Sequence, residues 1–202
     1  SSAPRIGPAV VVMLHGGGGS MIQVQQQIEL DATAAEAGFV VVYPDGTGVT
    51  RLHAWNAGHC CGRAADDDVD DVRFLDAVVA DLSTRIDVSR DRLVVAGHSN
   101  GAMMAQRWAA ESSGSVAGVF GVGGVADPAM VPGQPTPFVH VHSVDDPRAP
   151  YDGGEGETFI QGDTISSFSV DDLMSAWLSA NGCGADLAQT DALLSTTRAV
   201  RK

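Results

Sequence analysis

Residues 93–101 read LVVAGHSNG, and residues 102–108, AMMAQRW, follow them with a helix-forming composition. The apolar start is typical of a buried β-strand, and the end forms a Gly-x-Ser-x-Gly motif around Ser99. A strand, a sharp turn and a helix in this order are what a nucleophile elbow requires, and Gly97 and Gly101 leave room for the turn. An ordinary turn is the alternative in a chain with 24 glycines, but the flanking strand and helix favour the elbow. We therefore predict that Ser99 stands above a sheet, with its hydroxyl exposed and a helix N-terminus behind it.

Short apolar runs alternate with helical patterns along the rest of the chain. The predicted strands are Val10–Leu14, Phe39–Tyr43, Leu93–Ala96, Val116–Val122 and Phe138–His142. Helices are predicted over Met21–Ala37, where Gly38 ends the helix, after Ser99, and over Val170–Ala180. A further helix is predicted from apolar residues at positions 72, 75, 79, 82 and 86, and Asp70 or Asp71 can cap it. This alternation predicts an α/β fold, a mostly parallel sheet with helices on both faces. Ligands of such sheets bind at the loops that follow the carboxyl ends of the strands.

The composition indicates one soluble, folded domain over residues 1–202. Hydrophobic residues make up 44% of the chain and charged residues 18%. The 25 acidic and 12 basic side chains give a net charge of −13, which argues against nucleic acid and anionic membrane surfaces as partners. No apolar run has the length of a membrane-spanning helix.

A glycine-rich loop, residues 15–19, follows the first predicted strand. Its bare N–H groups could point at a substrate oxygen and, with the N–H of Asn100, form an oxyanion hole. We predict Gly17 or Gly18 as the loop's donor. A phosphate-binding loop would end in Gly-Lys-Ser/Thr, and no such ending is present. A merely flexible connector is the other alternative.

Two carboxylates, Asp145 and Asp146, follow the last predicted strand. The triad of a serine α/β-hydrolase follows the chain order Ser, then Asp or Glu, then His. This loop comes after Ser99 and is therefore in the right place for the acid. The residues alone do not separate Asp145 from Asp146, and either could only cap a turn.

A series of motifs runs in order through nearly the whole chain. They are Leu14-His15-Gly16, Tyr43-Pro44-Asp45-Gly46, Trp55-Asn56, Cys60-Cys61-Gly62, Val69-Asp70-Asp71-Val72, residues 97–104, Asp146 with Pro150-Tyr151, and Trp177 with Asn181-Gly182-Cys183. The series resembles the polyhydroxybutyrate depolymerase-like esterases, the α/β-hydrolase group that includes feruloyl and acetylxylan esterases. The resemblance implies the α/β-hydrolase fold.

The same resemblance implies a serine carboxylesterase that works through an acyl-enzyme and needs neither cofactor nor metal. Ser99 matches the nucleophile, and Asp146 matches the acid because it stands four residues after His142 and four before Pro150. The implied substrates are short-chain acyl, acetyl or hydroxycinnamoyl esters, polysaccharide-linked or not, or a polyester. A catalytically silent binding module and a serine acyltransferase are the alternatives.

This chain differs from the esterase group that it resembles in the position of its last histidine. The group's base follows a further strand in a Gly-His context, whereas no histidine follows His142 here. Only residues 1–9 precede the first predicted strand, whereas the group begins with further strands, so we expect the chain to lack terminal strands at both ends of its domain. The resemblance also implies a partner for Cys183 in the missing stretch and a secreted or extracytoplasmic location. Cys60 and Cys61 could form a vicinal disulfide, join a longer bridge or remain free thiols.

The histidines within the chain have other predicted roles. His140 and His142 lie on or at the end of a predicted strand, so we expect hydrogen-bonded core groups. His53 and His59 follow the second strand, and either could approach Ser99 as a base, although the order of the triad would then be broken.

Three further residues could shape the substrate pocket. His15 belongs to the glycine-rich loop, and Trp55 and Asn56 lie in the long loop after the second strand, with structural packing as an equal alternative. We predict no metal site. The acidic run at residues 66–68 lacks the spacing of a calcium loop, and the cysteine pair at 60–61 has no second ligand cluster for zinc.

Overall fold

The computed structural model describes residues 7–50, 52–157, 166–184, 189–190 and 200–201. In chain order its strands are β1 (Val10–Leu14), β2 (Val40–Val42), β3 (Thr47–Val49), β4 (Leu52–Ala54), β5 (Leu93–His98), β6 (Gly118–Val122), β7 (Phe138–Val141), β8 (Gly154–Glu155), β9 (Ser166–Ser167), β10 (Gln189–Thr190) and β11 (Val200–Arg201). Its α-helices are α1 (Met21–Ile28), α2 (Leu30–Ala37), α3 (Gly62–Asp66), α4 (Asp71–Ser83), α5 (Asn100–Glu111) and α6 (Val170–Ala180).

Five strands form one parallel sheet in the order β2-β1-β5-β6-β7, which confirms the predicted α/β architecture. The chain leaves β1 toward β2 on one side and returns to β5 on the other. Because the loops after β1 and β5 run in opposite directions, a crevice opens between the carboxyl ends of these two strands. Ligand sites of doubly wound sheets lie at such a point.

The central strands β1 and β5 are largely buried because helices pack on both faces of the sheet there. On one face, Val10, Val12 and Leu14 of β1 are fully buried and belong to the main core. That core also holds the buried side chains Leu75, Val79, Met104, Trp108, Leu173 and Trp177 of α4, α5 and α6. On the other face, a smaller core joins Met13 of β1 to Val24 of α1. The alternation of side chains along β1 therefore supplies both cores.

The single helix predicted over Met21–Ala37 is wrong, because the segment forms two helices. Glu29 separates them with a left-handed backbone (φ 49°), and its N–H donates to the carbonyl of Gln25 to close the last turn of α1. The predicted stop at Gly38 is confirmed, since Gly38 takes φ 74° and its N–H donates to Ala34.

The helix predicted from the spacing of apolar residues is α4, and Asp70 caps it by accepting the N–H of Arg73. Its apolar period continues past the end at Ser83, because Ile86 packs against the core from the following turn. The hairpin β3–β4 and helix α3 were not predicted. No helix of the described residues is long and apolar enough to cross a membrane.

A carboxylate, Asp76, fastens α4 to the end of α5. Its oxygens accept hydrogen bonds from Trp108 Nε1–H at 3.0 Å, from the Ser112 hydroxyl at 2.7 Å, and from the hydroxyl and N–H of Ser113 at 2.8 and 3.1 Å. Burial favours the neutral acid, but the donors of Ser112, Ser113 and Trp108 outweigh it and lower the pKa of Asp76 to about 2. The group is therefore ionised at neutral pH and holds the two helices together.

We expect Asp76→Ala to lower the free energy of unfolding by about 3 kcal/mol, because the buried indole N–H and the guanidinium of Arg90 lose a charged acceptor. Urea unfolding at pH 7 measures this. Asp81→Ala is the matched control on the same helix, since Asp81 forms an exposed pair with Arg85, and its effect should be small. Equal losses in the two variants would contradict the role assigned to Asp76.

Candidate active site

Ser99 lies in a sharp turn between β5 and α5, as predicted from residues 93–108. Its backbone has φ 53° and ψ −123°, a conformation that L-residues rarely adopt. A Cβ at Gly97 would collide with the main chain of Gly101, and a Cβ at Gly101 would collide with the carbonyl oxygens of Leu14 and His15. The strand, turn and helix of the nucleophile elbow are therefore confirmed, with glycine required on both sides of Ser99.

The glycine-rich loop lies against this elbow. Because β1 pairs in parallel with β5 and Leu14 stands opposite Gly97, the loops after both strands begin at the same level. A Cβ at Gly16 would lie 3.5 Å from the Cβ of Ser99. The pairing of the two strands thus brings the loop to the serine.

The structure corrects one of the two donors predicted for this loop. The N–H of Gly18 donates to the carbonyl of His53 at 2.8 Å, so this N–H is not available to bind a substrate oxygen. The N–H of Gly17 has no hydrogen-bond partner among the described residues. Asn100 opens α5, and the first N–H groups of a helix have no acceptor within it. Gly17 and Asn100 are therefore the two donors that remain for an oxyanion.

Of the two candidate acids, Asp146 faces the elbow. Its Oδ1 accepts the N–H groups of Arg148 and Ala149 at 2.9 and 3.0 Å, which fixes the carboxylate. A Cβ at Gly123 would lie 3.7 Å from Oδ2, and the preceding residue, Val122, accepts the N–H of Ser99 at 2.7 Å. Asp145 is exposed at the surface. The loop geometry therefore favours Asp146.

The two histidines of the β7 region are hydrogen-bonded core groups, as predicted. The carbonyl of Ala149 can only accept, so His142 donates to it through Nε2–H at 2.7 Å and accepts at Nδ1 from His140 Nε2–H at 3.0 Å. Burial, with the neighbouring His142, lowers the pKa of His140 to about 4. Both nitrogens of His142 are therefore hydrogen-bonded, His140 Nδ1 has no hydrogen-bond partner among the described residues, and neither ring is hydrogen-bonded to Ser99 Oγ.

The remaining histidines do not complete a triad either. Within the described residues no histidine nitrogen is hydrogen-bonded to Ser99 Oγ. His53 lies beside Asp45, with Nδ1 2.8 Å from Oδ1. His59 packs its ring edge-on against Phe168. The predicted approach of His53 or His59 to Ser99 is therefore not observed.

Trp55, Asn56 and His15, predicted to shape the pocket, lie behind the site. They are 0%, 3% and 1% exposed, so substrate cannot touch them and the packing alternative holds. Trp55 Nε1–H donates to the carbonyl of His15 at 3.0 Å. The amide of Asn100 pairs with the main chain of Trp55, accepting its N–H at 2.7 Å and donating to its carbonyl at 2.9 Å. This set joins the elbow to the glycine-rich loop.

The sequence analysis missed two residues that support this set. Asp71 is 2% exposed and accepts the N–H of Asn56 at 2.7 Å, and Arg107 donates to the carbonyl of Asn56 at 2.8 Å. Burial raises the pKa of the Asp71 carboxyl, although the hydrogen bond from the N–H of Asn56 and the nearby positive charge of Arg107 act to lower it. Asp71 stands four residues before Leu75 and eight before Val79, so the helical period could have placed it inward.

The side chains of the described residues that could hold a metal ion are His15, Asp45 and His53. Their ligand atoms all lie within 4.8 Å of one another. The cysteine pair at residues 60–61 lies near the Trp55 loop, where Cys61 N–H donates to the carbonyl of Trp55. The bridging of the pair stays a prediction, and Cys183 is an exposed free thiol.

The chain is similar to known proteins of one family. The sequence pattern of the alpha/beta hydrolase family matches residues 11–201, and the chain belongs to this family. NocK of Nocardia uniformis subsp. tsuyamanensis, whose name calls it an esterase, is 35% identical over 150 residues, 73% of this chain and 42% of NocK. Feruloyl esterase B of Piromyces equi is 27% identical over 175 residues, 82% of this chain and 31% of that protein. The chain thus spans less than half the length of either relative.

A solved structure shows the same fold. The carboxylesterase of Bacillus cereus superposes on this chain with a TM-score of 0.61 at 15% identity. The match covers 86% of this chain and 75% of that one. It supports the arrangement of sheet and helices described above.

The buried His140 should make stability depend on pH. Its imidazole titrates near 6.5 in the unfolded chain and near 4 in the fold, so the unfolded state binds the proton first and stability falls as the pH drops below 6.5. At pH 4.5 we expect this group to cost about 2 kcal/mol. Urea unfolding of wild type and His140→Gln at pH 7 and 4.5 measures it, and the variant should lose less stability between the two. Parallel losses would refute the assignment.

Proposed function

We propose that this protein is a serine esterase that hydrolyses carboxylic esters through an acyl-enzyme. The observation that carries the proposal is the strained Ser99, held at the N-terminus of α5 beside a loop whose Gly17 N–H has no partner among the described residues. Ser99 Oγ attacks the ester carbonyl, and the N–H groups of Asn100 and Gly17 stabilise the negative charge that develops on its oxygen. Each such donor contributes about 3 kcal/mol to the transition state in serine proteases.

The proton of Ser99 needs a base. All six histidines of residues 1–202 are among the described residues and none is hydrogen-bonded to Ser99 Oγ, so we assign this role to a histidine that these 202 residues do not include. That histidine takes the proton from Oγ and returns it to the leaving alcohol. Asp146 orients that histidine. Its Oδ1 is fixed by two N–H groups. Its Oδ2 lies 3.7 Å from His142 Nε2, beyond hydrogen-bond distance, and can accept from the N–H of the catalytic imidazole. Water then attacks the acyl-enzyme and releases the acid.

The motif series and the names of the relatives support the proposed substrate class. We place the chain with the polyhydroxybutyrate depolymerase-like esterases, and the name of the Piromyces equi relative supports hydroxycinnamoyl esters. The proposed substrates are short acyl, acetyl or hydroxycinnamoyl esters, polysaccharide-linked in a secreted enzyme, or a polyester. Rates on p-nitrophenyl butyrate, methyl ferulate and polyhydroxybutyrate distinguish these possibilities.

A fluorophosphonate probe tests the nucleophile in the full-length protein. We expect rapid labelling of wild type, no labelling of Ser99→Ala, and a loss of esterase activity of about a million-fold in the variant. Ser143→Ala is the matched control, because Ser143 is an exposed serine in the loop after β7, two strands away from β5, and the variant should be labelled as wild type is. A folded wild type that does not react would contradict the proposal and favour a silent binding module. Acyl transfer to an added alcohol in preference to water would favour an acyltransferase.

Substitution of the two neighbouring aspartates tests the acid. Asp146→Asn should lower kcat by about ten-thousand-fold, the size of the effect in serine proteases, because the orienting charge is lost. Asp145→Asn should change kcat little, since Asp145 is exposed. Initial rates on p-nitrophenyl butyrate measure both, with circular dichroism to check the fold. The opposite ranking of the two variants would assign the acid to Asp145.

A further inference from the structure

Three potential ligands lie together beside the glycine-rich loop, and the proposed ester hydrolysis uses none of them. Asp45 Oδ1 lies 2.8 Å from His53 Nδ1 and 3.3 Å from His15 Nε2. Two ligands bound to zinc at about 2.1 Å in tetrahedral geometry are about 3.4 Å apart. The 3.3 Å separation is close to this spacing, the 2.8 Å separation is about 0.6 Å shorter, and all three ligand atoms lie within 4.8 Å of one another. We propose that His15, Asp45 and His53 bind a divalent transition-metal ion such as Zn²⁺.

His15 already has the tautomer that a metal ligand needs. The carbonyl of Gly16 can only accept, so His15 Nδ1 carries the hydrogen and donates at 2.8 Å. Nε2 therefore carries the lone pair, which now accepts the N–H of Gly46 at 3.0 Å and would exchange it for the ion. Metal-bound histidines almost always donate their other N–H to such a carbonyl or to a carboxylate. Burial lowers the pKa of His15, which keeps the ring neutral at pH 7.

His53 has an unmet requirement that an ion would satisfy. Its Nδ1 lies close to Asp45, but a hydrogen on that nitrogen does not point at the carboxylate, and the atom has no hydrogen-bond partner among the described residues. The side chain is only 17% exposed, so water supplies little compensation. Asp45 is 29% exposed and gives an ion access from solvent.

The donor set selects the class of ion. Two imidazoles and one carboxylate suit Zn²⁺, Co²⁺, Ni²⁺ or Cu²⁺, whereas Mg²⁺ and Ca²⁺ prefer oxygen ligands alone. Three protein ligands leave one position of a tetrahedral ion for water.

The position of the site gives it a role in holding the glycine-rich loop. His15 begins that loop, and the main chain of His53 pairs with its end, accepting from Gly18 at 2.8 Å and donating to Gly19 at 3.1 Å. An ion on His15, Asp45 and His53 therefore closes a link across the loop. This link is independent of the reaction at Ser99, so the metal site and the esterase proposal can fail separately.

Calorimetric titration of EDTA-treated, full-length protein with Zn²⁺ tests the site. Asp45→Asn and His53→Gln should each weaken binding by about 100-fold or more, because each removes a ligand. His59→Gln is the matched control, since His59 lies between β4 and α3, six residues after His53 and outside the cluster, and the variant should bind Zn²⁺ as wild type does. Saturating Zn²⁺ should raise the Tm of wild type by about 5 °C and leave the two ligand variants unchanged.

Wild type that does not bind Zn²⁺ would overturn the proposal and leave the cluster as a contact between His53 and the Asp45 carboxylate. Binding that survives unchanged in both ligand variants would also overturn it, because the ion would then lie elsewhere. Circular dichroism and Tm without metal verify that the variants are folded. Visible absorption of the Co²⁺ complex, lost in the same two variants, provides a second readout of ligand identity.

Discussion

The parallel pairing of β1 with β5 is the constraint on which the candidate site depends. It aligns Leu14 with Gly97, so that the glycine-rich loop and the elbow leave the sheet at the same level. The same pairing explains why residue 101 must be glycine, since a Cβ there would meet the carbonyl oxygens of Leu14 and His15. A shift of one residue in this register would separate the loop from Ser99, and the donors could no longer face one oxygen.

Buried hydrogen bonds behind the site join the loops that follow β1 and β5. Asn100 follows Ser99 directly, and we propose its backbone N–H as an oxyanion donor. Its side-chain amide lies behind the elbow, where it pairs with the main chain of Trp55. Trp55 in turn donates to the carbonyl of His15, the residue that begins the glycine-rich loop. A strained residue such as Ser99 persists only where its surroundings fix it, and these buried bonds supply that support.

Much of this arrangement could be predicted from the sequence, because it rests on local patterns. The strand around Val95, the elbow at Ser99 and the cap at Asp70 each follow from a few neighbouring residues. The break at Glu29 could not be predicted in this way, since no glycine or proline marks it. The hairpin β3–β4 is short, and the carbonyl of His53 in β4 accepts the hydrogen bond from the N–H of Gly18. That choice between Gly17 and Gly18 depends on a contact between distant parts of the chain, which spacing does not show.

The most direct test of the account is a crystal structure of the full-length protein after reaction with a phosphonate ester. The account predicts phosphorus bonded to Ser99 Oγ, with one phosphoryl oxygen about 2.7–3.1 Å from the main-chain nitrogens of both Asn100 and Gly17. A phosphoryl oxygen turned away from both nitrogens, or phosphorus on another residue, would contradict it.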